Sequence, residues 1–144
     1  ELLDDIKDPV RKMDLLITAK NFVCPSLFMA DELAKKGGKT WVYQFNRVRD
    51  DKLAKKYGAF HGAELPYVFD THDEWLPTNE KDRELTREIQ SYWLSFAKTG
   101  NPNNSDAVTW PEYDSYNDPT LVLDDEIYQR NHESSEICKI MDLF

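Results

Sequence analysis

The chain has 144 residues, the length of one domain or of part of a larger one. Its 27 acidic residues outnumber its 18 basic ones, and the net charge of −9 argues against binding to nucleic acid or to an anionic lipid surface. Hydrophobic residues make up 40% of the sequence, which is enough for a packed core. No apolar run approaches the roughly 20 residues needed to span a bilayer, so no membrane span is predicted.

Two helices and a strand are predicted in the first third of the chain. Asp8-Pro9 is typical of an N-cap followed by a proline at the first helical position, and apolar residues continue at helical spacing to about Ala19. Pro25-Ser26 predicts a second helix start, and Gly37-Gly38 predicts its end. Residues 41–45 then form a short β-rich run with the signature of a buried strand. The order helix, glycine, strand indicates an α/β sheet.

The clearest helix is predicted in the second half, within residues 78–104. Apolar side chains recur there every three to four residues, and we expect them to face the core: Leu85, Ile89, Tyr92, Trp93 and Phe96. Gly100 and Pro102 predict the end of this helix. A short strand is predicted in "TLVLDDE". A terminal helix is predicted in "NHESSEICKIMDLF", with Ile137, Ile140, Met141 and Phe144 facing inward.

Cys24 and Cys138 are the only two cysteines, and their spacing leaves two interpretations open. They are either two buried free thiols or one disulfide that ties the ends of the chain together. There is no CxxC pair and no Cys/His cluster, which argues against a zinc site.

His61 lies between Gly58 and Gly62 in the stretch "KKYGAFHGAELPYVFD". It is either an ordinary histidine in a glycine-loosened loop, or the loop exists to present the imidazole. The position favours the second interpretation. It follows a predicted strand and precedes an apolar segment that must dock, and ligands in open α/β sheets bind in loops beyond the carboxyl ends of strands. A histidine there can act as a general base or acid near neutral pH. His72 and His132 have no such surroundings, and we expect both to be exposed.

No complete active site can be assembled from these residues. None of the seven serines lies in a G-x-S-x-G elbow, and the five glycines form neither a phosphate loop nor a dinucleotide fingerprint. We therefore predict no cofactor and no metal.

Five segments together resemble the type-B carboxylesterase/lipase family, which includes the cholinesterases. "GAFHGAELPYVFD" resembles the catalytic-histidine motif of that family, with His61, Gly62, Glu64 and an apolar run that ends at Phe69. "YWLSFAKTGNPNN" resembles the late-helix signature, and the Trp-Pro pair at 110–111 follows it. "FVCPS" and "EICKIMDLF" resemble the flanking segments. The resemblance extends from about Met13 to the end of the chain.

The resemblance implies an α/β class chain, namely the C-terminal part of an α/β-hydrolase fold. Residues 1–144 would supply the last sheet strands and their packing helices, as a segment of one domain with no internal boundary and incomplete in isolation. The implied function is carboxylic-ester hydrolysis by a serine esterase, with a small carboxylic ester as substrate. His61 would be the catalytic histidine, while the serine and the triad acid would lie upstream or on another chain. The isolated chain is therefore expected to be inactive.

Further roles follow from the same resemblance. Glu64 would be an acceptor that fixes the loop carrying His61, whereas the alternative is a solvated glutamate on a turn. Cys24 and Cys138 stand where cholinesterase-like members place a disulfide, which implies an oxidising compartment and a secreted or periplasmic protein. The alternative to an enzyme is a non-catalytic, cholinesterase-like adhesion or interaction module.

Overall fold

The computed structural model describes residues 6–74, 77–104, 107–131 and 133–141. These residues form two compact units. The first comprises the described parts of Glu1–Val42, Pro111–Thr120 and Arg130–Phe144, and the second comprises those of Tyr43–Trp110 and Leu121–Gln129. In chain order the elements are α1 (Pro9–Thr18), a π-helical turn (Ala19–Val23), α2 (Cys24–Lys35), β1 (Tyr43–Phe45), α3 (Lys52–Tyr57), α4 (Leu65–Phe69), α5 (Glu80–Thr99), β2 (Pro119–Leu123), β3 (Tyr128–Asn131) and α6 (Glu133–Ile140).

The two helices predicted near the N-terminus are joined into one helical segment. α1 begins as predicted, because the carboxylate of Asp8 accepts a hydrogen bond from the Val10 amide at 2.9 Å and Pro9 opens the first turn. The π-helical turn then leads into α2 without a break. Pro25 has no N–H to donate to the preceding turn. The wider π turn directly before it is a known way for a helix to absorb such a local mismatch.

The joined segment Pro9–Lys35 is long and apolar enough to cross a membrane by length and composition alone, with an 18-residue stretch of mean hydropathy 1.2. Core helices of soluble proteins meet the same criterion. The sequence prediction missed this stretch because it treated Pro25 as the start of a separate helix.

The core of the first unit forms around the disulfide between Cys24 and Cys138. Ala19, Leu27, Ala30 and Tyr113 are buried with the two cysteines. This disulfide is the pairing that the resemblance implied.

α6 packs against this core with one side only. Ile137 and Met141 are half-buried against it, as predicted, whereas Ile140 is 66% exposed. Burial of Cys138 explains the difference, because a helix that turns Cys138 inward directs a residue two positions later toward the opposite side. Phe144 lies outside the described residues.

The paired residues of two parallel strands lie in the second unit. β1 pairs with β2 in the register Tyr43 to Leu121 through Phe45 to Leu123, and the order of the three-stranded sheet is β1-β2-β3. A parallel pair needs a crossover connection, and α3, α4 and α5 lie between the two strands in the chain. β2 is buried along its whole length. β1 is not the buried strand that was predicted, since it lies at the edge of the sheet and Tyr43 is 37% exposed.

α5 matches the predicted long helix closely. A capping box between Asn79 and Asp82 begins it, and Gly100 ends it in the left-handed conformation. Leu85, Ile89 and Tyr92 are buried on its inner face and Trp93 is half-buried, as predicted. Phe96 was also predicted to be buried, but it is 50% exposed. It continues the same face into the last turn, where the described residues of this unit leave half of it open.

Candidate functional site

His61 is presented at the surface by a turn that two glycines bracket. Gly58 ends α3 with φ of 68°, and Gly62 has φ of 87°. Residues with a side chain rarely adopt a positive φ, so these two positions favour glycine. The Ala63 amide donates to the Phe60 carbonyl at 2.9 Å, which closes the turn around His61. His61 is exposed.

The turn continues directly into α4. The amide of Leu65 donates to the Gly62 carbonyl at 3.1 Å, and the amides of Tyr67 and Val68 donate to the Glu64 carbonyl at 2.9 and 3.0 Å. Backbone hydrogen bonds therefore connect α4 to the His61 turn.

Tyr67 is the buried residue of α4, which packs along α5 in the second unit. Its side chain is 1% exposed, and its ring packs on Phe45 with the ring centres 5.1 Å apart. Leu65 and Phe69, which were expected to dock as well, are 50% and 66% exposed. A five-residue helix buries only a narrow face, and here Tyr67 occupies it.

The hydroxyl of Tyr67 is hydrogen-bonded to the buried ion pair of Arg47 and Asp82. The hydroxyl donates to Oδ1 of Asp82 at 2.7 Å, and Nε of Arg47 donates to the same oxygen at 2.8 Å. The other carboxylate oxygen, Oδ2, accepts the backbone amide of Asn79 at 2.9 Å. Asp82 is fully buried and Arg47 is 4% exposed, so the pair is shielded from water.

The charges of this pair are stable at neutral pH. Burial acts to raise the pKa of Asp82, but the hydrogen bonds from Arg47, the Asn79 amide and Tyr67 outweigh it and lower that pKa below its ordinary value. Burial acts to lower the pKa of Arg47, and the hydrogen bond and charge of Asp82 reverse this. Burial raises the pKa of Tyr67 to about 12, so its hydroxyl keeps the proton that it donates.

His72 belongs to the same polar cluster, contrary to the expectation that it is exposed. The residue is half-buried, its Nε2 lies 2.7 Å from the Thr86 hydroxyl, and its Nδ1 lies 3.4 Å from Nη2 of Arg49. The Thr86 hydroxyl donates to the Asp82 carbonyl, which leaves its oxygen to accept from His72. The ring is therefore assigned as the neutral Nε2–H tautomer. Burial, followed by the charges of Arg49 and Arg83, lowers the pKa of His72.

The predicted role of Glu64 stays a prediction. Glu64 is half-buried at the N-terminal end of α4, and it contributes its backbone carbonyl to the turn rather than a side-chain cap. Its negative charge adds to burial in raising the pKa of Tyr43. His132 lies outside the described residues. Among residues 6–74, 77–104, 107–131 and 133–141, no group of three or more His, Cys, Asp or Glu side chains is placed to hold a metal ion.

Comparison with known proteins places this chain in one family. The model of the carboxylesterase family matches residues 3–141. The para-nitrobenzyl esterase of Bacillus subtilis is 39% identical over 101 residues, which cover 67% of this chain and 20% of that protein. The acetylcholinesterase of Gallus gallus is 35% identical over 117 residues, which cover 76% of this chain and 15% of that protein.

Solved structures show the same relationship. A carboxylesterase from Geobacillus stearothermophilus superposes with a TM-score of 0.77 at 25% identity, over 94% of this chain and 29% of the other. A thermophilic para-nitrobenzyl esterase superposes with a TM-score of 0.64 at 37% identity, over 74% of this chain and 22% of the other. The chain thus spans about a fifth of the length of such relatives, and its strands and helices are a partial α/β-hydrolase fold. The chain belongs to the carboxylesterase family.

Proposed function

We propose that this chain is the histidine-bearing, C-terminal portion of a serine carboxylic-ester hydrolase. The observation that carries the proposal is the presentation of His61. Its turn is bracketed by two glycines with positive φ and is fused to α4, whose Tyr67 is hydrogen-bonded to Asp82. An exposed imidazole mounted in this way is suited to proton transfer with a group that approaches from outside.

In the proposed reaction, His61 acts as general base and then as general acid. Its Nε2 takes the proton from a serine hydroxyl while the serine oxygen attacks the ester carbonyl carbon. It then gives that proton to the leaving alcohol, and an acyl-serine remains. Water, deprotonated by the same imidazole, attacks the acyl-serine, and the carboxylic acid is released as the serine regains its proton.

The serine, the triad acid and the oxyanion hole belong, in this proposal, to the remainder of the domain. Both compact units would then be parts of one α/β-hydrolase domain, and the chain alone would be inactive. Glu64 would support the turn that carries His61. The substrate class is a small carboxylic ester, and no cofactor is needed for acyl transfer by a serine.

The disulfide supports a secreted or periplasmic location, because disulfides persist in oxidising compartments. We infer that Pro9–Lys35 packs against the first unit through one part of its surface and does not cross a membrane. Cys24 in this segment is bonded to Cys138, and Ala19, Leu27 and Ala30 are buried in the core of the first unit.

Replacement of His61 by glutamine tests the proposal. The chain is produced together with the rest of its domain, and hydrolysis of p-nitrophenyl acetate is measured. We expect His61→Gln to lower kcat by about 10³-fold or more, the usual cost of losing a triad histidine. Lys55→Gln is the matched control, since it changes an exposed ionisable residue of the neighbouring helix α3, and it should retain activity within about twofold.

The contrary outcome is equally clear. An active His61→Gln variant would remove His61 from the mechanism. If the rest of the domain carries no serine elbow and the assembled protein hydrolyses no ester, the proposed hydrolase is wrong. The non-catalytic interaction module then becomes the better interpretation.

A further inference from the structure

A buried polar chain runs from the body of the second unit to the helix that carries the His61 turn. It starts at Arg47, just beyond β1, passes to Asp82 in the first turn of α5, and ends at the Tyr67 hydroxyl in α4. All three side chains are at least 96% buried. Among the described residues, the Tyr67 hydroxyl makes two side-chain hydrogen bonds. It donates to Asp82, and it accepts from Arg49.

The acceptor end of this bond is firmly placed. Asp82 uses one oxygen for Arg47 and Tyr67 and the other for the Asn79 amide, and its own amide donates to the side chain of Asn79 at 3.1 Å. An aspartate bonded at both oxygens and at its backbone has little freedom to move. Arg49 donates through Nε to the Tyr67 hydroxyl at 3.2 Å, which fixes the direction of the hydroxyl from the other side.

The donor end lies close to the His61 turn in the chain. Tyr67 follows His61 by six residues, and the intervening residues are tied together by the amide hydrogen bonds of Ala63, Leu65 and Tyr67. α4 has only five residues, and Tyr67 is its buried residue. α4 also packs along α5, and the hydroxyl of Tyr67 adds a directed polar contact to that packing.

We propose that Tyr67 is a positioning residue, which holds the catalytic turn of His61 in its productive place through its hydrogen bond to the Arg47–Asp82 ion pair. This inference rests on the proposed function of His61. It goes beyond it because it assigns a role in catalysis to a buried hydroxyl that touches neither substrate nor His61. A displacement of a catalytic group by about 1 Å can cost as much as 10²-fold in rate.

The test removes one oxygen atom from each of two buried tyrosines. Tyr67→Phe abolishes the bond to Asp82 and keeps the ring. Tyr92→Phe is the matched control, because Tyr92 is also fully buried in the second unit and its hydroxyl donates to the Val108 carbonyl at 2.6 Å, on the far part of α5 from its capping box. Both variants and His61→Gln are assayed in the assembled domain, at a temperature where melting curves show all of them folded.

We expect Tyr67→Phe to lower kcat about 10- to 100-fold with KM changed less than about twofold. Tyr92→Phe should keep kcat within about twofold, although both variants lower the melting temperature similarly. Amide hydrogen exchange at residues 62–65 should become faster in Tyr67→Phe and stay unchanged in Tyr92→Phe.

Each other result overturns a specific statement. If His61→Gln is inactive but Tyr67→Phe has normal kcat, the positioning role is wrong and the function of His61 stands. Equal losses of kcat in Tyr67→Phe and Tyr92→Phe would mean general destabilisation, which also removes the positioning role. If His61→Gln is active, the proposed function fails, and the role of Tyr67 fails with it.

Discussion

At the scale of single residues, His72 contradicts the expectation that a histidine without a motif lies at the surface. His61 is exposed in a turn between two glycines, whereas His72 is half-buried among Tyr67, Arg49 and Thr86. The His61 turn could be predicted, because the flanking glycines and the motif are local in sequence. The cluster around His72 could not, since its partners come from α5 and from the segment after β1.

The same reasoning explains why the ion pair of Arg47 and Asp82 was missed. The two residues lie 35 positions apart, and each has ordinary charged neighbours in the sequence. Nothing local marks either as buried. The parallel crossover between β1 and β2 brings the start of α5 beside the end of β1. A charge pair of this kind therefore cannot be predicted until the fold is known.

His72 should make the second unit less stable as the pH falls below neutrality. Its pKa is lower in the folded state than the 6.5 of an ordinary histidine, so near that pH the unfolded chain binds more protons. The stabilising contribution is therefore full above pH 6.5 and is lost as the pH falls through 6.5 toward the lowered value. The slope of the free energy of unfolding cannot exceed about 1.4 kcal/mol per pH unit for one proton.

The measurement is the urea midpoint of unfolding between pH 8 and 5 for the original protein and for His72→Gln, which keeps a hydrogen-bond donor. The difference between the two profiles isolates His72 from the other histidines. Asp31 and Asp82, whose pKa values are lowered from 3.8, affect the free energy of unfolding only in a separate range, below about pH 3.8. Parallel profiles from pH 8 to 5 would show that His72 titrates alike in both states.

At the scale of elements, the helix ends were predictable and the helix junction was not. Asp8, Gly100 and the glycines at 37–38 are local signals, and the structure uses them as caps and ends. Pro25 is also a local signal, but it has two solutions, a new helix or a π turn within a continuing one. The core around Cys24, which is formed by residues distant in the chain, selects the second.

The capping box of α5 should contribute measurably to stability. The side chain of Asn79 accepts from the Asp82 amide and donates to Asp50 at 2.6 Å. Asn79→Ala should lower the free energy of unfolding by about 1 kcal/mol, the typical cost of a lost N-cap. Asn79→Ser, which keeps a capping oxygen but loses the contact with exposed Asp50, should lose less. Equal losses in chemical denaturation would locate the effect in the Asp50 contact instead of the cap.

At the scale of the whole molecule, the chain has the features of a partial fold. It spans about a fifth of its relatives, and both units leave large apolar side chains exposed. In the first unit these include Val10, Met13, Phe28 and Met29, along the helical segment. Large apolar side chains exposed in this number along one segment are ordinarily covered in a complete domain. The periodicity of a single sequence marks these residues as apolar, but it does not say whether their cover lies within the same chain.

The disulfide should supply much of the stability of the first unit. It closes a loop between residues 114 positions apart. In the chain-entropy model such a loop is worth about 4–5 kcal/mol, with about 2–5 kcal/mol observed on removing native disulfides. The double variant Cys24→Ser, Cys138→Ser should show this loss in urea unfolding, and dithiothreitol should destabilise the original protein but not the variant. An original protein whose midpoint is unaffected by reduction would contradict the prediction.

The disulfide between Cys24 and Cys138 also determines whether a cut in the backbone would release a fragment. Their Cα atoms are 5.6 Å apart, so the backbone between them forms a closed ring, and the residues before Cys24 and after Cys138 are its two tails. A protease that cut one peptide bond within the ring would open it without releasing a fragment. The two pieces would stay tethered, and their reassociation would be intramolecular rather than dependent on protein concentration. A nicked chain would thus keep its histidine turn attached to the rest of the molecule for as long as its surroundings stay oxidising.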